Sequence, residues 1–500
     1  MALRETPDLK VGGSTPFGLK VFYQQLLCMT ILYFNYLMIA ESHTNHRSPY
    51  SNVDVIILAN RSIFARESES DWLFGLITIG NKPILLHLLQ QLEANGLHNI
   101  SLACLGKDKG AYSDFIAQNP SFHITLYDVD GTATTCNIIR RIANEKNYTF
   151  VFPIDLFTSV RLTDIIDFHI SSRSKITVVA ADEAIQKSER ERAPGFITNL
   201  KNPFGQRYLV YQENQPEKLV TLLSDPTAIT EDLDLSLKKQ DLIQREESLE
   251  SMNSNDFNEQ EELDYMTIDD AFLNGNKSLI INSTKILTSA YVLSPECISI
   301  IKNVTIADEP IHSIESELIP YLCKKVAESE ELVSQSMCYR NPPIDVSIFY
   351  IKDSDFALRV IDYASLFIAN IRCGACRLKG FIPAGEFTSD YYIGRDHKVS
   401  FAYTSYNVYG DSLEAKHDDI TISRSVIGKY CKIGKGVKIN NCVIFDHVTL
   451  NENVQLQYCI IAPNSSIPAG SILKQCIVES GFNGQTKLKL EKCTVHNNNQ

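Results

Sequence analysis

The chain has 500 residues, of which 44% are hydrophobic and 21% charged, with a formal net charge of −13. That length exceeds one ordinary domain and predicts two or three; the composition is that of a soluble globular protein. The charge is uneven. Glu231 to Asp270 holds 14 acidic residues against three basic ones, a net of −11, so the remainder is nearly neutral and direct nucleic-acid binding is not expected.

Residues 1–50 read as an N-terminal extension to which the sequence assigns no role. It contains the apolar run Leu26–Ala40, whose 15 residues fall short of the roughly twenty that span a bilayer. No small-x-small cleavage site follows, as a secretory signal would require. The 13 cysteines are odd in number and scattered, the usage of a reduced, cytosolic protein. A cytosolic location without a membrane partner is therefore expected.

Residues 51–350 read as an α/β domain. Val53–Ala59 is a mostly apolar run of strand length. Pro83 opens a helix with Ile84, Leu85, Leu88, Leu89 and Leu92 on one face, and Gly96 closes it. Strands are expected at Ile100–Leu105, His123–Tyr127 and Tyr148–Pro153, with a helix at Thr134–Glu145. Strands alternating with helices predict a mainly parallel sheet covered on both faces. Ligands of such sheets bind beyond the carboxyl ends of the strands. The acidic stretch, at about 226–272, reads as a disordered insertion. Residues 351–415 read as a connecting segment; its Cys373-Gly-Ala-Cys376 has no second pair and reads as core packing rather than zinc or redox chemistry.

From 416 to 500 the chain repeats every 17 residues, with Ser425, Cys442, Cys459, Cys476 and Cys493 heading successive units. Aliphatic residues recur in steps of six, six and five: Ile427, Ile433, Ile439, then Ile444, Leu450, Leu456, then Ile461, Ile467, Leu473. This is the hexapeptide pattern of a left-handed parallel β-helix, in which stacked coils bury a common interior. Gly428, Gly434, Gly436 and Gly470 fall where sharp turns are expected. The cysteine column reads as small buried apolar residues, since thiols in one file do not converge on a tetrahedral metal.

Strand 53–59, then Gly80-Asn81-Lys82-Pro83-Ile84, then Gly131-Thr132-Ala133, then a strand ending at Asp155, resembles the order found in sugar-nucleotide pyrophosphorylases. Those enzymes often carry a C-terminal left-handed hexapeptide β-helix. In active members the first strand runs into a glycine-rich, arginine-bearing loop that holds a triphosphate, and a lysine precedes the next helix. Here Asn60-Arg61-Ser62-Ile63-Phe64-Ala65-Arg66 has no glycine, and Trp72–Thr78 has no lysine. Arg61 and Arg66 read as surface residues and Lys82 as part of the helix entry. Gly131, Thr132 and Ala133 are remnant candidates for nucleotide contact. Asp155 holds a divalent metal in an active relative; on its own it reads as a strand-end capping residue.

Ser313–Leu322, Lys416-His417, Arg424–Gly428 and Ile439–Cys442 resemble the gamma subunits of eukaryotic translation initiation factor 2B, a non-enzymatic branch of that superfamily. The resemblance implies a chain with no catalytic residue, no cofactor and no metal. It implies support of GDP/GTP exchange on initiation factor 2 through an epsilon subunit, within a complex that includes alpha, beta and delta regulatory subunits. Only seven residues follow Cys493, too few for the helical exchange domain of the epsilon type. Two other classes stay open: an active sugar-1-phosphate nucleotidyltransferase, and a hexapeptide acyltransferase using His417 or His447.

Overall fold

In the computed structural model the residues described are 49–59, 74–182, 207–224, 279–282, 285–306, 308–336, 345–352, 355–374, 386–387, 391–393, 395–396, 398–399 and 406–496. The run Leu26–Ala40, the loop Asn60–Arg66, the acidic stretch 226–272 and Cys376 lie outside them.

The four strands expected near the start pair in parallel. They are β1 (Val53–Ala59), β2 (Asn99–Leu105), β3 (Ile124–Val129) and β4 (Tyr148–Pro153), in the order β3-β2-β1-β4. β1 is buried along nearly its whole length, as a strand with covered faces must be. The helices between them are α1 (Ile84–Ala94), α2 (Lys109–Gln118) and α3 (Thr135–Ile142). Pro83 immediately precedes α1 without a capping hydrogen bond, and Gly96 just past its end has φ +72°. Thr134 caps α3, its hydroxyl accepting from the Asn137 amide at 3.3 Å.

Beyond β4 come α4 (Leu162–Ser172), β5 (Ile176–Asp182), β6 (Arg207–Gln212), β7 (Gln215–Ser224), β8 (Leu279–Asn282), β9 (Lys285–Leu293) and β10 (Val346–Tyr350). The ten-stranded order is β8-β6-β7-β10-β5-β9-β4-β1-β2-β3. β9 enters antiparallel between β4 and β5, so the sheet is parallel on one side and mixed on the other. Helices α3, α5 (Pro295–Asn303) and α6 (Ile319–Ser336) share one apolar core with the sheet.

The C-terminal domain is the expected left-handed parallel β-helix. Its first column runs Ile427, Ile444, Ile461, Val478, Val495. The second runs Ile433, Leu450, Ile467, and the third Ile439, Leu456, Leu473, Leu490. These residues form a single buried cluster with only Leu490 partly exposed at the end. Two of the three sheets continue upstream of 416, one through residues 391–393 and 407–409 and another through 398–399 and 414–415. The β-helix thus reaches back into the segment expected to be only a connection; the third sheet begins at Thr421–Ser423. α7 (Tyr363–Gly374) lies against the first of these sheets: Val360, Leu366 and Phe367 share a core with Val443, Phe445, Ile460 and Ile477.

The glycines divide into two kinds. Gly436 and Gly470 have φ near +70°, the left-handed turn for which glycine was expected. Gly428 and Gly434 do not; they are needed because the next coil passes too close. A Cβ on Gly428 would lie 2.4 Å from the Phe445 carbonyl carbon. Most left-handed corners are instead filled by Tyr430, His447, Asn464 and their like, with φ of 56° to 60°. Gly428→Ala is therefore expected to cost about 2–3 kcal/mol in chemical denaturation, because backbone cannot yield as a side chain can. Gly110→Ala on α2 meets nothing within 4 Å and should gain about 0.5–1 kcal/mol.

Candidate functional site

The mouth of the parallel half lies beyond the carboxyl ends of β1, β2, β3 and β4. Asp155 stands two residues past β4 and is buried, its side chain 6% exposed. Arg359, on the short strand Ala357–Arg359 paired antiparallel with Leu156–Thr158, covers it. The guanidinium Nη2 donates to Asp155 Oδ2 at 2.8 Å, and Nε donates to Oδ1. This is a two-pronged pair, and the Arg359 side chain is itself only 16% exposed. The Asp155 backbone carbonyl accepts from the Val360 amide at 2.8 Å. A carboxylate that would attract a divalent cation thus has an internal cation already seated on it.

Gly131, Thr132 and Ala133 follow β3, three strand positions from β4, roughly 14 Å across the sheet at ordinary strand spacing. The fold puts them and Asp155 on the same rim without bringing them into contact. A Cβ on Gly131 would meet only Leu105 Cδ2 at 3.9 Å, so packing does not require glycine there. The amides that would cradle a phosphate are engaged by the chain. Thr132 N donates to Asp130 Oδ1 at 3.4 Å and Ala133 N to the Asp130 carbonyl at 3.0 Å. Cys136 N, in the first turn of α3, donates to the His312 carbonyl at 3.2 Å. Asp130 also brings negative charge to the place where a phosphate would approach.

Gly80 and Asn81 behave differently from a helix opening. Both have positive φ, 57° and 66°, and they turn a tight hairpin between Thr78–Ile79 and Lys82–Pro83; the helix starts only at Ile84. Two consecutive left-handed residues are the signature of a type I′ turn. The Asn81 side chain donates to the Ile427 carbonyl of the β-helix at 2.8 Å, and the Gly80 amide donates to Asn370 Oδ1 on α7 at 2.9 Å. The Gly-Asn pair is a bracket between the two domains.

Lys82 is buried, and desolvation lowers its pKa to about 8; its Nζ donates to Gln90 Oε1 at 2.5 Å. Burial first, then the Lys82 charge, push His87 down to about 3, and its Nε2–H donates to the Ile79 carbonyl at 2.9 Å. Burial also lowers His169 to about 4. Both rings stay neutral when folded, whereas an unfolded histidine takes a proton below about 6.5. Stability contributed by each ring is therefore present above pH 6.5 and lost as pH falls toward those depressed values. Between pH 7 and pH 5 the unfolding free energy should drop by about 2–4 kcal/mol. His87→Gln with His169→Gln should flatten that slope in denaturant titrations at the two pH values; an unchanged slope would contradict the assignment.

Other sequence candidates have structural roles. Ser313 caps a π-helical turn, Ile314–Leu318, that leads into α6. This turn buries Glu315 against the Tyr291 hydroxyl, which donates to it. His447 stacks on Tyr430 at the β-helix surface, ring centroids 4.9 Å apart. Cys373 is fully buried. Among the described residues no group of three His, Cys, Asp or Glu is placed to hold a metal ion, and no helix is long and apolar enough to cross a membrane. Arg359 escaped sequence reasoning because nothing local marks a partner 204 positions from Asp155.

A family profile described as the GMPPB C-terminal domain matches residues 412–500. No curated protein matches the chain. The β-helix is thus similar to the hexapeptide-repeat domain of a sugar-nucleotide pyrophosphorylase type, which agrees with the superfamily to which the sequence pattern points.

Proposed function

We propose that the chain is a non-catalytic subunit of the gamma type in the initiation factor 2B complex, supporting GDP/GTP exchange on initiation factor 2 together with an epsilon subunit. The observation that carries the non-catalytic part is the Arg359 guanidinium on Asp155. A metal-dependent nucleotidyl transfer needs a carboxylate open to the cation, and this one is already neutralised. The engaged amides after Asp130 support the same reading, because a triphosphate needs free donors. The gamma assignment rests on the Ser313–Leu322 and coil motifs. Partners are an epsilon subunit, alpha, beta and delta regulatory subunits, and initiation factor 2, in the cytosol. Obligate interfaces commonly bury more than about 2,000 Å², and an assembly of this kind requires a surface of that size.

The match of 412–500 to a pyrophosphorylase-type domain favours a second reading, an active sugar-1-phosphate nucleotidyltransferase. Incubation of the full chain with magnesium, nucleoside triphosphates and a panel of sugar 1-phosphates separates the two. No sugar nucleotide should form; turnover near about 1 per second, within the usual enzyme range, would sink the non-catalytic reading.

A further inference from the structure

The cysteine column ends in a pair of thiols with unequal access. Cys476 and Cys493 are in consecutive coils, 17 positions apart, and their Sγ atoms stand 3.7 Å from each other. Cys476 is fully buried, whereas Cys493 is partly exposed in the last coil. Both are free thiols. The strands that follow them pair in register, Ile477 with Thr494 and Val478 with Val495. In-register neighbours lie about 4.8 Å apart, inside the Cα separation of about 4.4–6.8 Å that a disulfide accepts.

We propose that Cys476 and Cys493 form a site of reversible oxidative modification, closing to a disulfide that staples the last coil to the one before it when the protein meets a peroxide. Cys493 is the residue attacked first, because it is the thiol that solvent reaches. Its thiolate gives the electron pair to one peroxide oxygen, the O–O bond breaks, and hydroxide leaves with Cys493 as a sulfenic acid. Cys476 then attacks the Cys493 sulfur; the S–S bond forms, the S–O bond breaks and, with the Cys476 proton, water leaves. Two electrons pass from the thiols to the peroxide. A dithiol reductant reverses the closure by exchange.

The geometry favours this pair over the rest of the file. Sγ must move from 3.7 Å to about 2.05 Å. Cys459 is packed between coils on both sides, its amide donating to Cys442 Sγ at 3.4 Å. The coil of Cys493 has a neighbour on one side only among the described residues. Closure asks the last coil to shift and leaves the interior undisturbed. Burial pushes the Cys493 thiol up to about 11, and hydrogen bonding with Cys459 together with burial raises Cys476. Oxidation at neutral pH is accordingly slow, as for a protective staple rather than a fast sensor.

The test treats the folded full chain with hydrogen peroxide, blocks remaining thiols and maps peptides by mass. The expected product is one cross-linked pair joining the Cys476 and Cys493 peptides, lighter by about 2 Da through loss of two hydrogens and restored by dithiothreitol. Hydrogen exchange of residues 488–496 should slow at least about tenfold in the oxidised protein. Cys493→Ser should abolish the cross-link, and Cys476→Ser should leave a Cys493 sulfenic or sulfinic acid. Overturning results are Cys493 oxidised singly in the wild-type chain, a cross-link that appears only after denaturation, or pairing at Cys442–Cys459 instead.

Discussion

Ile461→Asp should unfold the β-helix at neutral pH. Ile461 is fully buried in the middle of the first column, between Ile444 and Val478. A carboxylate there has no counter-charge and must take up a proton. Protonating a group of ordinary pKa near 3.9 at pH 7 costs about 4 kcal/mol, before the lost packing of isoleucine at about 2–3 kcal/mol. The neighbouring control is Asn464→Asp. Asn464 is exposed at a corner with φ +59°, a conformation that aspartate also tolerates, so the change should stay within about 0.5 kcal/mol. Denaturant titrations with circular dichroism read both; equal losses would show that the column register is wrong.

Arg359→Ala is the second large effect. It removes the two-pronged partner of a carboxylate that is 6% exposed, and breaking a buried pair from one side typically costs about 3–5 kcal/mol. Arg359→Lys keeps the charge but not the fork geometry and should fall in between. The double change Asp155→Ala with Arg359→Ala should recover part of the loss, because no charge is then stranded. Additive losses in that cycle would mean that the two side chains do not act as a pair. The Arg359→Ala protein also tests whether freeing Asp155 restores any affinity for magnesium.

Legibility in the sequence followed the range of the interactions. The inward columns of the β-helix could be read from the sequence, because its contacts join residues 17 apart and repeat; Ile444 on Ile461 on Val478 is the column that the spacing predicts. The parallel strands β1 to β4 were legible from apolar runs and from Pro83, Gly96 and Thr134 as punctuation. The mixed half of the sheet was not. β9 is inserted between β4 and β5 from more than a hundred residues away, and no local pattern specifies such a pairing. The same limit hid the site. Asp155 was visible as a strand-end acid, while Arg359 carries no motif. Gly80-Asn81 read as the opening of a helix, and neither its tight turn nor its reach to Ile427 was legible. Gly428 and Gly434 were found for an incomplete reason: local sequence suggests a sharp turn, whereas the constraint is backbone of the next coil.

The proposed role makes the chain a platform that acts only through a partner. Release of labelled GDP from initiation factor 2 tests this most directly, measured with this chain alone, with an epsilon subunit alone and with the two combined. The account predicts that the pair exceeds epsilon alone and that this chain alone matches the blank. GDP release by this chain unaided, or no association with epsilon at micromolar concentration, would contradict it.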